Sequence, residues 1–192
     1  MKNILKIYPL FFLLLIIVSC ASSEDSSSTS TGTTSSSEDT STSDTSTSSS
    51  DENFVAVGSS GTIISSPDGI TWTSRSSGTT DYLYGATYGN STFVVVGYNG
   101  NILTSSDNAA SWTSRTSGTT EHLYRVTYGD STFVAVGYNG TILSSSDGIT
   151  WTSRTSGTSN ILWAVKHVNK TFLTVGDNGT ILTSSDNATS WT

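Results

Sequence analysis

The chain is poor in the groups that most chemistries need. It has one cysteine, Cys20, so no internal disulfide can form. Lys and Arg total 8 against 15 Asp and Glu, for a formal net charge of −7. That balance leaves no basic footprint for nucleic acid. Its 2 histidines, His122 and His167, stand apart from any Cys or carboxylate at metal-ligand spacing, so neither a metal nor another cofactor is expected. There is no Gly-x-Ser-x-Gly elbow and no phosphate-cradling glycine loop. No apolar run reaches the roughly 20 residues that span a bilayer as a helix. Beyond residue 52 no apolar pattern of helical period occurs, which excludes a helical solenoid.

What is present falls into three zones: 1–19, 20–52 and 53–192. In the first, Lys2 and Lys6 precede the continuous apolar run Leu10–Val18, the build of an export signal. The run closes on Ile17-Val18-Ser19-Cys20. This resembles the bacterial lipobox (aliphatic, small, small, Cys). The resemblance implies a diacylglyceryl group on the Cys20 thiol, cleavage before it and acylation of the new amine. Several acyl chains meet the requirement for stable anchoring, which one chain alone does not. Ala21 and Ser22 follow where an inner-membrane retention signal would place Asp, so the outer membrane or cell surface is favoured.

Residues 21–52 are almost entirely Ser, Thr, Asp and Glu, with no side chain able to recover the entropy of folding by burial. They read as a disordered tether, extended by the charges of Glu24, Asp25, Glu38, Asp39, Asp44, Asp51 and Glu52. As a flexible coil it would span roughly 30 Å. The remaining zone is nearly balanced, with Arg75, Arg115, Arg125, Arg154, Lys166 and Lys170 against 8 acids.

That zone repeats. Phe54, Phe93, Phe133 and Phe172 open the related phrases FVAVG, FVVVG, FVAVG and FLTVG at spacings of 39, 40 and 39. Trp72, Trp112, Trp151 and Trp191 follow at spacings of 40, 39 and 40. A period near 40 suits propeller blades of four short strands. In the second repeat the strands are expected at Tyr82–Thr87, Thr92–Val96, Asn101–Ser105 and Ser111–Arg115. Asn99-Gly100 and Asn139-Gly140 signal tight hairpins, since both residues tolerate positive φ. Phe93-Val94-Val95-Val96 does not alternate, as suits a strand buried on both faces between blades.

The third turn of each repeat carries a second resemblance. Ser105-Ser106-Asp107 through Ser111-Trp112 and Ser184-Ser185-Asp186 through Ser190-Trp191 resemble the Asp box, S-x-D-x-G-x-T-W. Ser66-Pro67-Asp68-Gly69-Ile70-Thr71-Trp72 and Ser145-Ser146-Asp147-Gly148-Ile149-Thr150-Trp151 are versions one residue shorter. Asp-box propellers include sialidases, other glycoside hydrolases, sortilin-type receptors and the photosystem II assembly factors; the wording here is most similar to the last group and its non-photosynthetic bacterial relatives. The resemblance implies an all-β fold, a propeller of four four-stranded blades. Asp68, Asp107, Asp147 and Asp186 would cap their own turns, and the four tryptophans would pack between blades. A sialidase would need an arginine triad, a Tyr–Glu pair and an acid Asp. Arg75, Arg115 and Arg154 occupy one repeat slot, Thr-Ser-Arg, and read as blade-edge structure. No carboxylate pair is marked out for glycosidase work. The chain is therefore read as having no catalytic set.

The candidate binding face lies opposite the boxes. It comprises the turn residues Tyr98, Asn99, Tyr138, Asn139, Asp177 and Asn178, and the first-strand residues Tyr84, Tyr124, Trp163 and Arg125. Aromatic and amide groups suit a sugar or peptide ligand; aromatics that simply pack the blades are the alternative. The expectation is a membrane-anchored, non-catalytic binding or assembly-scaffold propeller facing the periplasm or the cell surface, with a glycan or protein ligand. A glycoside hydrolase and a purely structural surface repeat are the alternatives. The first blade is expected to lack its inner strand and the last to stop short, leaving a four-blade arc or poorly closed ring that self-associates through open blade edges. For the anchor, Cys20→Ala is expected to move the protein from the detergent to the aqueous phase in phase partitioning, or to stall its processing. Mutant protein that still partitions with lipid would contradict the lipobox.

Overall fold

A computed structural model describes residues 53–192. The export signal, Cys20 and the tether lie outside the described residues. Short runs of Val, Ile, Thr and Phe between Gly- and Asn-bearing turns give fourteen strands and no α-helix among the described residues. They form four antiparallel sheets in which each strand pairs with the next in sequence. Sheet one holds β1 (Phe54–Val57), β2 (Ile63–Ser66) and β3 (Thr73–Arg75). Sheet two holds β4 (Leu83–Gly89), β5 (Thr92–Gly97), β6 (Ile102–Ser105) and β7 (Thr113–Arg115). Sheet three holds β8 (Leu123–Gly129), β9 (Thr132–Gly137), β10 (Ile142–Ser145) and β11 (Thr152–Arg154). Sheet four holds β12 (Leu162–Val168), β13 (Thr171–Gly176) and β14 (Ile181–Ser184), and Thr192 exchanges both backbone bonds with Thr183 beside β14. These are propeller blades, the first without an inner strand among the described residues.

The inner strand β4 runs two residues past the Thr87 expected from the sequence. The turn behind it is only Asn90-Ser91, both in the left-handed region at φ 47° and 54°. This mirror-image turn matches strand twist, and it was hard to read because neither residue is glycine. Asn99-Gly100 and Asn139-Gly140 also take positive φ at both residues, but each turn carries one extra residue before it, Tyr98 and Tyr138.

The core lies between blades. Val55, Ile63, Leu83, Phe93, Val95 and Leu103 join sheets one and two. Val94, Val96 and Ile102 meet Leu123, Val126, Phe133, Ala135 and Leu143 between sheets two and three. Val134, Val136 and Ile142 meet Leu162, Val165 and Phe172 between sheets three and four. The unbroken Phe93–Val96 run thus sends alternate side chains into two different interfaces. Each such burial contributes about 1.5–3 kcal/mol. The inner strands β4 and β8 end in glycine because the next blade's ring lies there. A Cβ on Gly89 would fall 2.2 Å from the Tyr128 ring, and one on Gly129 would fall 2.1 Å from that of His167.

The Ser-x-Asp turns come in two forms. In the short form Asp68 accepts from the N–H groups of Ile70 (2.8 Å) and Thr71 (2.7 Å), and Ser66 Oγ donates to it at 2.8 Å. Asp147 repeats this with Ile149, Thr150 and Ser145. In the long form Asp107 accepts from Ser111 N–H (3.0 Å) and Ser105 Oγ (2.7 Å), and Asp186 from Ser190 N–H (3.0 Å) and Ser184 Oγ (2.7 Å). The extra residue brings in Ala109 or Ala188, fully buried between blades at φ 61° and 60°. Space for the ring nitrogen changes with it. Trp72 and Trp151 donate Nε1–H to Gly69 and Gly148 carbonyls at 3.2 and 2.9 Å, while Trp112 and Trp191 keep Nε1 buried without a partner.

These donors hold the carboxylates ionised. The Thr71, Ile70 and Ser66 bonds bring Asp68 to about 2 from 3.8, and the Ser111 and Ser105 bonds bring Asp107 to about 2. Ser190 hydrogen bonds draw Asp186 lower still, and the Thr150 N–H bond lowers Asp147. A depressed carboxyl pKa stabilises the fold above its ordinary value and ceases to as pH falls through its folded one. The melting temperature is therefore expected to hold from pH 7 to near 4 and to fall between about 4 and 2, with a shallower fall in Asp107→Asn. A melt as high at pH 2 as at pH 6 would contradict the turn chemistry.

Candidate binding face

The face opposite the Ser-x-Asp turns is shaped by one bulge per inner strand. Leu83 pairs with Gly97 and Gly85 with Val96, which leaves Tyr84 as the unpaired residue. Tyr124 and Trp163 stand in the same position in β8 and β12. A bulge bends the strand and re-aims its side chain. The neighbouring turn is fastened to the residue two before the bulge: Tyr98 N–H donates to Tyr82 O, Tyr138 N–H to His122 O and Asp177 N–H to Ile161 O, at 2.8–2.9 Å. Glycine is required in that turn, since a Cβ on Gly100 would fall 2.2 Å from the Thr119 carbonyl oxygen.

The bulged residues meet across blades. The rings of Tyr82 and Tyr84 stack at 6.3 Å, Tyr84 tilts on Tyr124 at 5.5 Å, and Tyr124 stacks on Trp163 at 4.8 Å. A second row comes from the turns: Tyr98 stacks on His122 at 4.1 Å, and His122 lies 6.0 Å from Tyr138. His122 stands edge-on to Tyr124 at 6.4 Å and joins the two rows. Trp163 and Tyr138 still expose 47% and 46% of their surface.

Polar groups fix the rings. Trp163 Nε1–H donates to Asp177 Oδ1 at 2.6 Å, and Asn178 Nδ2 donates to Asn160 Oδ1 at 3.1 Å. Asn99 N–H donates to His122 Nδ1 at 3.2 Å, which places the neutral ring's proton on Nε2. Asn139 sits exposed at the tip of its turn. Arg125 Nη1 donates to the carbonyls of Tyr84 (2.9 Å) and Tyr124 (2.7 Å), and burial draws the guanidinium pKa below its ordinary value. Burial, then the nearby Tyr124 and Tyr98 hydroxyls, raises the Tyr84 phenol. Burial, then Tyr138 and Asp177, raises that of Tyr124.

Of the ten residues picked from the sequence, Tyr84, Tyr124, Trp163, Tyr98, Tyr138 and Asp177 thus fall into one continuous surface, with Arg125 bound beneath it and Asn99, Asn139 and Asn178 at the turn tips. Tyr82 and His122 belong to it and were missed. They share one repeat slot, and the presence of a ring at both was the available signal. Arg75, Arg115 and Arg154 do not converge. Each donates Nε–H at 2.8 Å to a hydroxyl within its own blade: Ser65, Thr104 and Ser144.

No protein-family model matches the chain, and no curated protein matches it. Solved propellers do. A structure of YCF48 bound to D1 peptide is 15% identical with a TM-score of 0.59, covering 73% of this chain and 48% of that one. YCF48 from Cyanidioschyzon merolae is 17% identical with a TM-score of 0.57 (73% and 52%), and the WD40 β-propeller domain of Doa1 is 15% identical with a TM-score of 0.56 (73% and 50%). The chain spans about half the length of the propellers it matches, and the likeness is one of fold. The geometry separates scaffold from surface. Trp112→Ala is expected to cost about 3 kcal/mol, as core aromatic truncations do, and Tyr98→Ala about 0.5 kcal/mol. Urea denaturation of both checks this, and equal losses would contradict the assignment of faces.

Proposed function

We propose that the protein is a non-catalytic propeller that holds a protein segment on its aromatic face, anchored in the bacterial envelope through lipid on Cys20. The observation that carries this reading is the run of packed, partly exposed rings from Tyr82 to Trp163, of which Tyr84, Tyr124 and Trp163 stand at equivalent bulges of consecutive blades. Amphipathic rings held rigid on a strand scaffold give large contact area at little entropic cost. We read the Ser-x-Asp turns as Asp boxes, in the wording of the photosystem II assembly factors. That YCF48 is known in a structure bound to a D1 peptide fits a propeller of this kind engaging a peptide.

Two features support the details. The arginines that a sialidase would need to converge are each bonded within their own blade, which disfavours a glycosidase. The chain enters sheet one at Asn53, whose amide donates to the Asn108 carbonyl on a Ser-x-Asp turn. This fastens the start of sheet one at the end of the blades opposite the aromatic face. A peptide array and a glycan array probed with the full chain test the reading. Peptide binding that falls at least tenfold, or about 1.4 kcal/mol, in Trp163→Ala and Tyr124→Ala is expected. Glycan binding without peptide binding, or peptide binding indifferent to both substitutions, would overturn it.

A further inference from the structure

The aromatic face is one-sided in its hydrogen bonding. Most acceptors beside its rings are spent within the molecule. Asn99 N–H occupies His122 Nδ1 at 3.2 Å, and Arg125 Nη1 occupies the carbonyls of Tyr84 (2.9 Å) and Tyr124 (2.7 Å). Asp177 Oδ1 takes the Trp163 N–H at 2.6 Å. The donors are left over. Among the described residues the phenol hydroxyls of Tyr84, Tyr98, Tyr124 and Tyr138 and the Nε2–H of His122 have no partner, and none is sealed from solvent as Trp112 and Trp191 Nε1 are. Burial, the larger cause in each, raises the Tyr84 and Tyr124 phenols and so keeps them protonated as donors. Tyr98 and Tyr138, 36% and 46% exposed, belong to sheets two and three, which have a packed neighbour on each side.

The rings also have a spacing. Tyr98 and Tyr138 stand 4.1 and 6.0 Å from His122, so the ends of the turn row are no more than about 10 Å apart. Tyr84 and Trp163 stand 5.5 and 4.8 Å from Tyr124, which gives the strand row the same reach. A polyproline II helix repeats every three residues, or about 9 Å. Its carbonyls have no internal partners, and each proline removes one N–H. Such a segment brings acceptors and few donors, the complement of this face. A sugar brings a donor with every hydroxyl and would meet acceptors already taken. A strand added at the edge of β4 or β8 would need the carbonyls that Arg125 holds, and the bulges at Tyr84 and Tyr124 break the run of pairing groups.

Building on the peptide-holding role proposed above, we propose that the partner is a proline-rich segment in the polyproline II conformation. It lies along the two rows, with prolyl rings against the tyrosines and carbonyls accepting from their hydroxyls. The complementarity is electrostatic, donors meeting acceptors, and it needs no ion pair. Both sides are preformed: the segment by its prolines, the rings by their strands and fastened turns, so little entropy is lost on docking. Asp177, in the slot of Tyr98 and Tyr138, ends the turn row at sheet four.

Fluorescence anisotropy with the detergent-solubilised full chain tests this. The probes are uncharged peptides of equal length, an Ala-Pro-Pro repeat, a Gly-Ser repeat and a Thr-Val repeat, together with a labelled chito-oligosaccharide. The Ala-Pro-Pro probe is expected to bind at least roughly tenfold more tightly than the others. Tyr138→Phe, which keeps the ring and loses the hydroxyl, should weaken it about threefold, as loss of one hydrogen bond does. Tyr138→Leu should weaken it roughly tenfold or more, with the melting temperature unchanged in both. Gly-Ser or Thr-Val probes that bind as tightly as Ala-Pro-Pro, and lose affinity in Trp163→Ala, would overturn the proline preference while leaving the peptide-holding role standing. Binding of the oligosaccharide alone, or of no probe at millimolar concentration, would overturn both. Affinity for Ala-Pro-Pro that is indifferent to Tyr138→Leu would overturn the proposed seat.

Discussion

Burial of both faces of the middle strands in sheets two and three is the constraint from which the rest follows. Val94 and Val95 are neighbours in one strand, yet they are fully buried in different interfaces. A single blade would expose one of these faces, so no blade is stable alone and stability accrues at the joints between them. This accounts for the glycine at the end of the inner strands, where the backbone must yield to the neighbour's ring.

The Ser-x-Asp turns serve that constraint from one end of the blades. The carboxylate satisfies backbone N–H groups that a tight turn would otherwise leave without partners, and doing so lets the chain place a tryptophan over the joint. Alternation between the short and long forms has a packing reason. The additional residue buries Ala109 or Ala188 in the joint, at the cost of leaving the Trp112 and Trp191 ring nitrogens without acceptors. Between these solutions the repeat accepts a buried ring N–H without a partner, at a cost of about 1–3 kcal/mol, for filled volume.

At the other end, the bulges divert one ring per inner strand out of the joint. The rings then meet each other instead of the core. In sheets two and three the middle strands beneath are buried on both sides, so the aromatic surface there sits on rigid elements while its turns remain free to differ. Sheet three has Tyr138 where sheet four has Asp177, and sheet two has Tyr98, so the surface is not symmetric even though the scaffold nearly is. Such asymmetry is what lets a repeated fold recognise one ligand in one orientation.

The sequence by itself determined the number of repeats, the four-strand plan of a blade, the two-faced burial of FVVV and the positive-φ Asn-Gly turns, because each is a property of residues near one another in the chain. It also marked Tyr84, Tyr124 and Trp163 as equivalent. Only the tertiary structure decided that these rings touch, that His122 stacks on Tyr98 and lies beside Tyr138 rather than standing isolated, and that Arg125 binds the carbonyl of a residue 41 positions away. Those contacts join one blade to the next. Periodicity reports what every repeat does alike, whereas a contact between repeats depends on the angle at which neighbouring sheets pack, and that angle is set by side-chain volumes in the joint.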